Sequence, residues 1–151
     1  MKMKIEEEIK QRKFKNEHHK ALINVLYTSG WMQQKQAALF KPFGLTLPQF
    51  NILRILRGQY PKPATINLLI ERMLDKTSNA SRIVDKLENK GLVSREQCPN
   101  DRRTVDVLIT EKGLDLLKQM DGLEDSRKIG IGNLSEAEAE ELNRLLDKIR
   151  D

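Results

Sequence analysis

The side chains best equipped for chemistry in this chain fall between Lys76 and Arg103. Lys76, Thr77, Ser78, Asn79, Arg82 and Lys86 supply ammonium, hydroxyl, amide and guanidinium donors along one short stretch. Arg102 and Arg103 follow at a turn rich in chain-reversing residues, Cys98-Pro99-Asn100-Asp101. Arginine matches the paired acceptors of guanine, asparagine matches adenine, and hydroxyls serve either a base or a phosphate. The free amides of a helix N-terminus favour phosphate as well. Two arginines on a tight turn suit the narrow minor groove, where the potential is most negative. Taken alone, the Lys76–Lys86 stretch also fits an ordinary solvated helix face, because Asp85, Glu88 and Asn89 dilute its charge. The arginine-tipped turn that follows favours the nucleic-acid reading.

Other chemistries lack their residues. Cys98 is the only cysteine, so neither an intrachain disulfide nor a cysteine-rich zinc site is available. It reads as an incidental thiol in an exposed turn. His18 and His19 are adjacent, and neighbouring side chains on a helix diverge by about 100°, so they seldom share one ion. No second histidine cluster exists to complete a metal site. There is no Gly-rich phosphate loop and no Ser/His/Asp set, so neither an enzyme nor a resident cofactor is expected.

The elements that must position these residues can be read from punctuation and periodicity. Residues 4–41 predict a long or broken helix, with Gly30 as a candidate bend and Pro42 and Gly44 ending it. Thr46-Leu47-Pro48-Gln49 is a helix start, and Phe50, Leu53, Ile55 and Leu56 give its apolar stripe as far as Gly58. Two close prolines make residues 59–63 a loop. Thr65 caps a helix with Leu68, Leu69, Arg72 and Met73 near one face. A break at Leu74-Asp75-Lys76 then leads into a helix over Thr77–Lys90, stopped by Gly91, so that a turn of three or four residues joins the two helices. On that helix Ala80, Ile83, Val84 and Leu87 share one face, and Ser78, Asn79, Arg82 and Lys86 fall away from it.

Leu92–Gln97 and Thr104–Thr110 alternate with period two and predict strands, with the turn at Cys98–Arg103. Thr110 caps a further helix containing Leu114, Leu116, Leu117 and Met120, and Gly130 and Gly132 mark its end or a kink. Ser135-Glu136-Ala137-Glu138 is a capping box for the last helix, whose face is Leu142, Leu145, Leu146 and Ile149. A helix-turn-helix followed by a two-stranded wing results: a mainly α fold with a small β-wing, flanked by N- and C-terminal helices. Those flanking helices are too one-sided to bury their stripes alone, which predicts packing on a partner chain.

Charge agrees with this layout. The net +5 hides an asymmetry, because residues 114–151 carry −4 and residues 1–113 therefore +9. A basic body with an acidic tail suits a polyanionic partner. No apolar run approaches the roughly 20 residues needed to cross a bilayer, and the N-terminus has no signal-peptide core, so no membrane association is expected and the location predicted is cytoplasmic.

Ser81–Arg95 (SRIVDKLENKGLVSR), Asp101-Arg102-Arg103 and Leu108–Gly113 (LITEKG) together resemble the central motif of the multiple antibiotic resistance regulator (MarR) family. The matching segments occur in order with appropriate gaps, and the helix pattern extends the resemblance over nearly the whole chain. The resemblance implies a homodimeric winged-helix regulator of transcription, usually a repressor, that binds double-stranded DNA and is released by a small-molecule effector or an oxidant. It implies one MarR-like domain over residues 1–151, with a DNA-binding lobe at 46–110 and dimerisation helices at 1–41 and 111–151. It makes Arg102 the minor-groove arginine, with Asp101, Arg103 and Arg95 bracing the wing; Asp101 is expected to pair with one arginine and hold the other outward. Two departures stand out. The segment PKPATINLLIERMLDKTSN lacks the usual Leu-Ala and Leu-Gly pattern, and no cysteine lies in the N-terminal helix, which excludes thiol sensing by that route. Effectors in the family sit between the dimerising helices and the DNA-binding lobe, which makes His18, His19, Tyr27, Trp31, Phe50 and Arg54 the candidates here; a Trp or Phe at helical spacing is more often core than pocket. The competing function is a winged-helix module for protein–protein contact, with its basic face incidental.

Overall fold

In the computed structural model, residues 3–98, 101–123 and 130–151 are described, without the side chains of Cys98 and Arg102. The N-terminal segment is broken, with α1 at Ile5–Glu8 and α2 at Glu17–Phe40. The break falls before Asn16 and not at Gly30, through which α2 runs uninterrupted. Lys10 adopts a positive φ of 54°, and the Asn16 side chain accepts the amide of His19 at 2.8 Å, so α2 can start only after it. A short 3-10 turn, Lys41–Phe43, then closes at Gly44.

Thr46 opens α3 (Leu47–Gln59) with a reciprocal capping box: its hydroxyl accepts the Gln49 amide at 3.3 Å, and Gln49 Oε1 accepts the Thr46 amide at 3.2 Å. The buried stripe is Phe50, Ile52, Leu53 and Leu56, whereas Ile55 is only half-buried. Two residues, Ala64–Thr65, form β1, a strand too short to show a period in the sequence. Thr65 caps α4 (Ile66–Arg72), which buries Leu69 and leaves Arg72 exposed, so Arg72 leaves the apolar face that its spacing had suggested.

The helix bearing the candidate base readers is α5, Ala80–Asn89, shorter than the predicted Thr77–Lys90. Asn79 has non-helical angles (φ −85°, ψ 98°) and accepts the amide of Arg82, so it is the cap and not part of the helix. Residues 73–79 therefore separate α4 from α5, a longer connection than three or four residues. Gly91 has φ +74°, its amide donates to Glu88, and the Leu92 amide donates to Leu87, the paired closure of a Schellman motif.

β2 (Val93–Cys98) and β3 (Asp101–Ile109) form the wing, with β1 on the other side of β3 in an antiparallel sheet of order β1-β3-β2. Val93 faces Ile109 and Gln97 faces Val105, after which the register shifts and Cys98 faces Asp101. Arg102 and Arg103 consequently lie on the strand that leaves the turn, not in a six-residue tip. Thr110 caps α6 (Glu111–Met120), which ends at Asp121 (ψ 134°), well before Gly130 and Gly132. Gly130 instead opens a short 3-10 turn ahead of α7 (Glu136–Ile149) and its Ser135/Glu138 capping box.

The core gathers Ile52, Leu53 and Leu56 of α3, Leu69 of α4, Val84 and Leu87 of α5, Val93 and Val107 of the sheet, and Leu117 and Met120 of α6. Of α2 only Phe40 is buried, and α7 buries nothing. Leu22, Val25 and Leu26 on α2, and Leu142, Leu145 and Ile149 on α7, stay exposed. No helix among the described residues is long and apolar enough to cross a membrane.

Candidate nucleic-acid interface

The amphipathic split of α5 builds the interface. Ala80, Val84 and Leu87 are buried and hold the helix to the lobe, which turns Arg82 and Lys86 outward one helical turn apart. Neither side chain meets an acidic group or other partner among the described residues. Arg103 is likewise exposed, on β3 beside the turn. The backbone of Arg102 lies on the same strand; its side chain is outside the described residues.

The connection before α5 is organised by Asp75. Its carboxylate accepts the Thr77 hydroxyl at 2.6 Å, the Thr77 amide at 2.9 Å and the Ser78 hydroxyl at 2.9 Å. These hydrogen bonds, the Thr77 hydroxyl foremost, hold the carboxyl of Asp75 below the ordinary aspartate range. Asn79 spends its side-chain oxygen on the helix cap. Lys76 turns back and donates to the carbonyls of Ile70, at 2.8 Å, and of Glu71, capping the end of α4. Four of the predicted readers thus already have intrachain work, and the Arg82–Lys86 face does not. The sequence shows this only indirectly, through an Asp followed by Thr and Ser, a spacing that favours local turns.

Two arrangements hold the wing. Arg95 on β2 donates to the carbonyl of Ser81 at 3.0 Å and pairs with Asp85 at 2.6 Å, tying β2 to α5. Asp101 accepts the Arg103 amide at 2.9 Å and the Thr104 hydroxyl at 3.0 Å. Asp101 thus braces the start of β3 through the Arg103 amide and the Thr104 hydroxyl; its expected pairing with an arginine involves the Arg102 side chain, which lies outside the described residues.

The effector candidates do not converge. Phe50 is a core residue, 4.3 Å from Phe40 between ring centroids, because the stripe of α3 turns it inward. Arg54 is exposed on α3. Tyr27 and Trp31 line a crevice of about 220 Å³ with Ile5, Glu8, Asn24 and Thr28. There Tyr27 donates to Glu8 at 2.8 Å, and that carboxylate raises the phenol's pKa above its usual value. His19 lies against Phe14 at the start of α2, and His18 is exposed beside it. Among the described residues no cluster of His, Cys, Asp or Glu is suited to a metal ion. A separate groove runs between the flanking elements and the lobe, lined by Phe43, Gly44, Lys90, Leu92, Lys112 and Leu116 among others. None of the predicted effector residues is in it.

A sequence model of the MarR family matches residues 45–105, the span that holds α3 to β3. The HTH-type transcriptional regulator MgrA of Staphylococcus aureus is 30% identical over 111 residues, covering 74% of this chain and 74% of its own length. The chain belongs to the MarR family. Family membership makes it a regulator of transcription and not an enzyme. The MarR transcription factor of Planctomyces limnophilus is 29% identical, with a TM-score of 0.68 over 89% of this chain and 98% of that one. AbsC of Streptomyces coelicolor, a MarR family transcriptional regulator, has a TM-score of 0.79 at 23% identity, covering 92% and 96%. A variant of MarR from E. coli solved with operator DNA has a TM-score of 0.75 at 24% identity, covering 91% and 99%. These last two establish the winged-helix fold.

Proposed function

We propose that this MarR-family chain is a sequence-specific reader of double-stranded DNA that works as a homodimer, represses from a pseudo-palindromic operator in the cytoplasm and is released by a small-molecule effector. The observation that carries the reading is the outward face of α5, where Arg82 and Lys86 meet no partner among the described residues while the wing is tied to the same helix through Arg95. Residues 46–110 form the reading lobe, with Arg82 and Lys86 in the major groove and Arg102 and Arg103 at the flanking minor groove. Thr77, Ser78 and Lys76 act mainly by shaping the approach, and Asn79 offers only its amide nitrogen to a base. Residues 1–41 and 111–151 supply dimerisation, in keeping with the exposed apolar stripes of α2 and α7. The effector acts in the groove beside Lys90 and Lys112, which touches both the flanking helices and the end of α5.

The test is selection of bound sequences from a random DNA pool by the purified protein, followed by the salt dependence of the best site. An operator reader enriches an inverted repeat, and Arg82→Ala and Arg102→Ala each weaken it by about 1–3 kcal/mol. A module for protein contact enriches nothing and is indifferent to both substitutions.

A further inference from the structure

The C-terminal end of α5 is held by groups that DNA reading does not use. Lys90, the residue after the helix, sends its ammonium away from α5 to the carbonyl of Gly44 and to Gln49 Oε1 at 3.3 Å. Gly44 closes the turn that ends α2, and Gln49, only 5% exposed, is the capping-box residue of α3. In the opposite direction, Lys112 of α6 donates its ammonium to the carbonyl of Lys90 at 2.8 Å. Thr110, the cap of α6, donates to the carbonyl of Gly91 at 2.7 Å. Two lysines therefore join the end of α5 to the turn that links α2 to α3, to the first turn of α3 and to the first turn of α6.

A basic residue at a helix C-terminus ordinarily serves its own helix, whose terminal carbonyls attract it. Lys90 does otherwise, and Lys112 takes over the carbonyl that Lys90 presents. We propose that Lys90, with Lys112, is a positioning residue that fixes the angle of α5 against the dimerising helices and so determines the half-site spacing that the homodimer accepts. This inference rests on the operator-reading homodimer proposed above. The leverage is geometric: a ten-residue helix is about 15 Å long, so a 10° swing about one end moves the other by about 2.6 Å. That approaches the rise of one base pair, about 3.4 Å. Half-site separation in a two-fold operator mirrors the separation of the two reading helices. Loosening the pinned end of α5 broadens the separations that both helices can reach together.

The experiment compares the wild-type homodimer with Lys90→Met, Lys112→Met and Lys90→Arg on the selected operator and on versions with one base pair added or removed between half-sites. Binding is read by fluorescence anisotropy at several salt concentrations. Methionine keeps the alkyl stem, and circular dichroism verifies folding; Lys112→Met carries the test by itself if Lys90→Met does not fold. The expected result is that the methionine variants discriminate between spacings less than the wild type by about fivefold or more, the low end of coupling between sites. Their salt slope stays unchanged, and Lys90→Arg retains discrimination. Unaltered spacing preference in folded methionine variants overturns the inference, as does a salt slope reduced by about one phosphate. A wild-type protein that binds no inverted repeat overturns the operator reading itself, and this inference with it.

Discussion

Arg95 and Asp85 lie 2.6 Å apart, one on β2 and the other on the exposed side of α5, and the same guanidinium donates to the carbonyl of Ser81 at 3.0 Å. The wing is thereby referenced to the helix beside it and not only to the strand it pairs with. Asp85 lies between the cations of this helix, and its pairing with Arg95 offsets its charge beside Arg82 and Lys86. The Nε of Arg95 is buried without a partner among the described residues, and the guanidinium is held by its two Nη2 contacts.

Arg95→Met should therefore cost more in DNA binding than in folding. The ion pair is partly exposed, and such pairs contribute at most about 1 kcal/mol to stability. The wing, however, loses its fixed orientation relative to α5. Thermal melts should move only slightly while operator affinity, by anisotropy, drops several-fold. A large fall in stability with unchanged affinity per folded molecule would contradict this.

Gly113 is required by packing. A Cβ at this position would collide with the carbonyl oxygen of Leu92 and stand 2.7 Å from Ile109 Cγ1. Neither neighbour can move easily, because Leu92 is buried immediately before β2 and Ile109 is buried at the end of β3. Gly113→Ala should destabilise the chain by about 1–3 kcal/mol, as overpacking does. Urea unfolding monitored by circular dichroism reads this directly.

Much of this architecture was legible in the sequence because its signals are local. The Thr46, Thr65, Thr110 and Ser135 caps each accept the amide three residues on, as their spacing predicted. The apolar period of α5 and the alternation of Val105, Val107 and Ile109 likewise located the helix face and the strand. What was not legible depends on contacts distant in sequence. Phe50, in an apolar stripe that favours core, is fixed there only when Phe40 is seen against it, and the partner by which Arg95 braces the wing, Asp85, emerges only when β2 lies beside α5. The start of α5 was placed too early because Thr77 and Ser78 tolerate a helix, yet Asp75 captures both hydroxyls. Nothing local in the sequence points to the contacts of Lys90, since Gly44 and Gln49, which it reaches, lie far back in the chain.

Asp75 gives a pH signature. Its carboxyl is held below the ordinary range by the hydroxyl and amide of Thr77 and the hydroxyl of Ser78. A depressed folded pKa contributes stability that is fully present above the unfolded value, near 3.9, and is lost as pH falls through the folded value. The side-chain carbonyl of Asp75 should thus titrate below free aspartate when followed by NMR, and Thr77→Val should raise its midpoint. A midpoint at or above the ordinary value would mean that the turn does not depend on the ionised form.

The apolar stripes of α2 and α7 predict the assembly state. Leu26 is 64% exposed and Ile149 69%, each on an apolar stripe left uncovered among the described residues. Burying such a side chain contributes about 1.5–3 kcal/mol. Leu26→Asp should therefore shift sedimentation from dimer toward monomer at micromolar concentration, with little change in helix content. Trp31, the only tryptophan, stands close to Gly130 and should report the change in its emission.

Lys76 and Lys86 offer the sharpest contrast between shaping the interface and touching DNA. Both are cations in the same region, and composition alone would give them the same role. Lys76 is committed to the carbonyls that end α4, whereas Lys86 lies exposed on the outward face of α5 with no partner among the described residues. Each phosphate neutralised contributes a slope of about −0.9 to the dependence of log affinity on log salt. Lys86→Met should accordingly weaken binding and flatten that slope by nearly one unit. Lys76→Met should also weaken binding, through a loosened end of α4 and a displaced turn, but leave the slope where it was. Equal flattening in both variants would show that Lys76 releases its carbonyls on binding and grips the backbone after all; no flattening in Lys86→Met would remove Lys86 from the phosphate contacts.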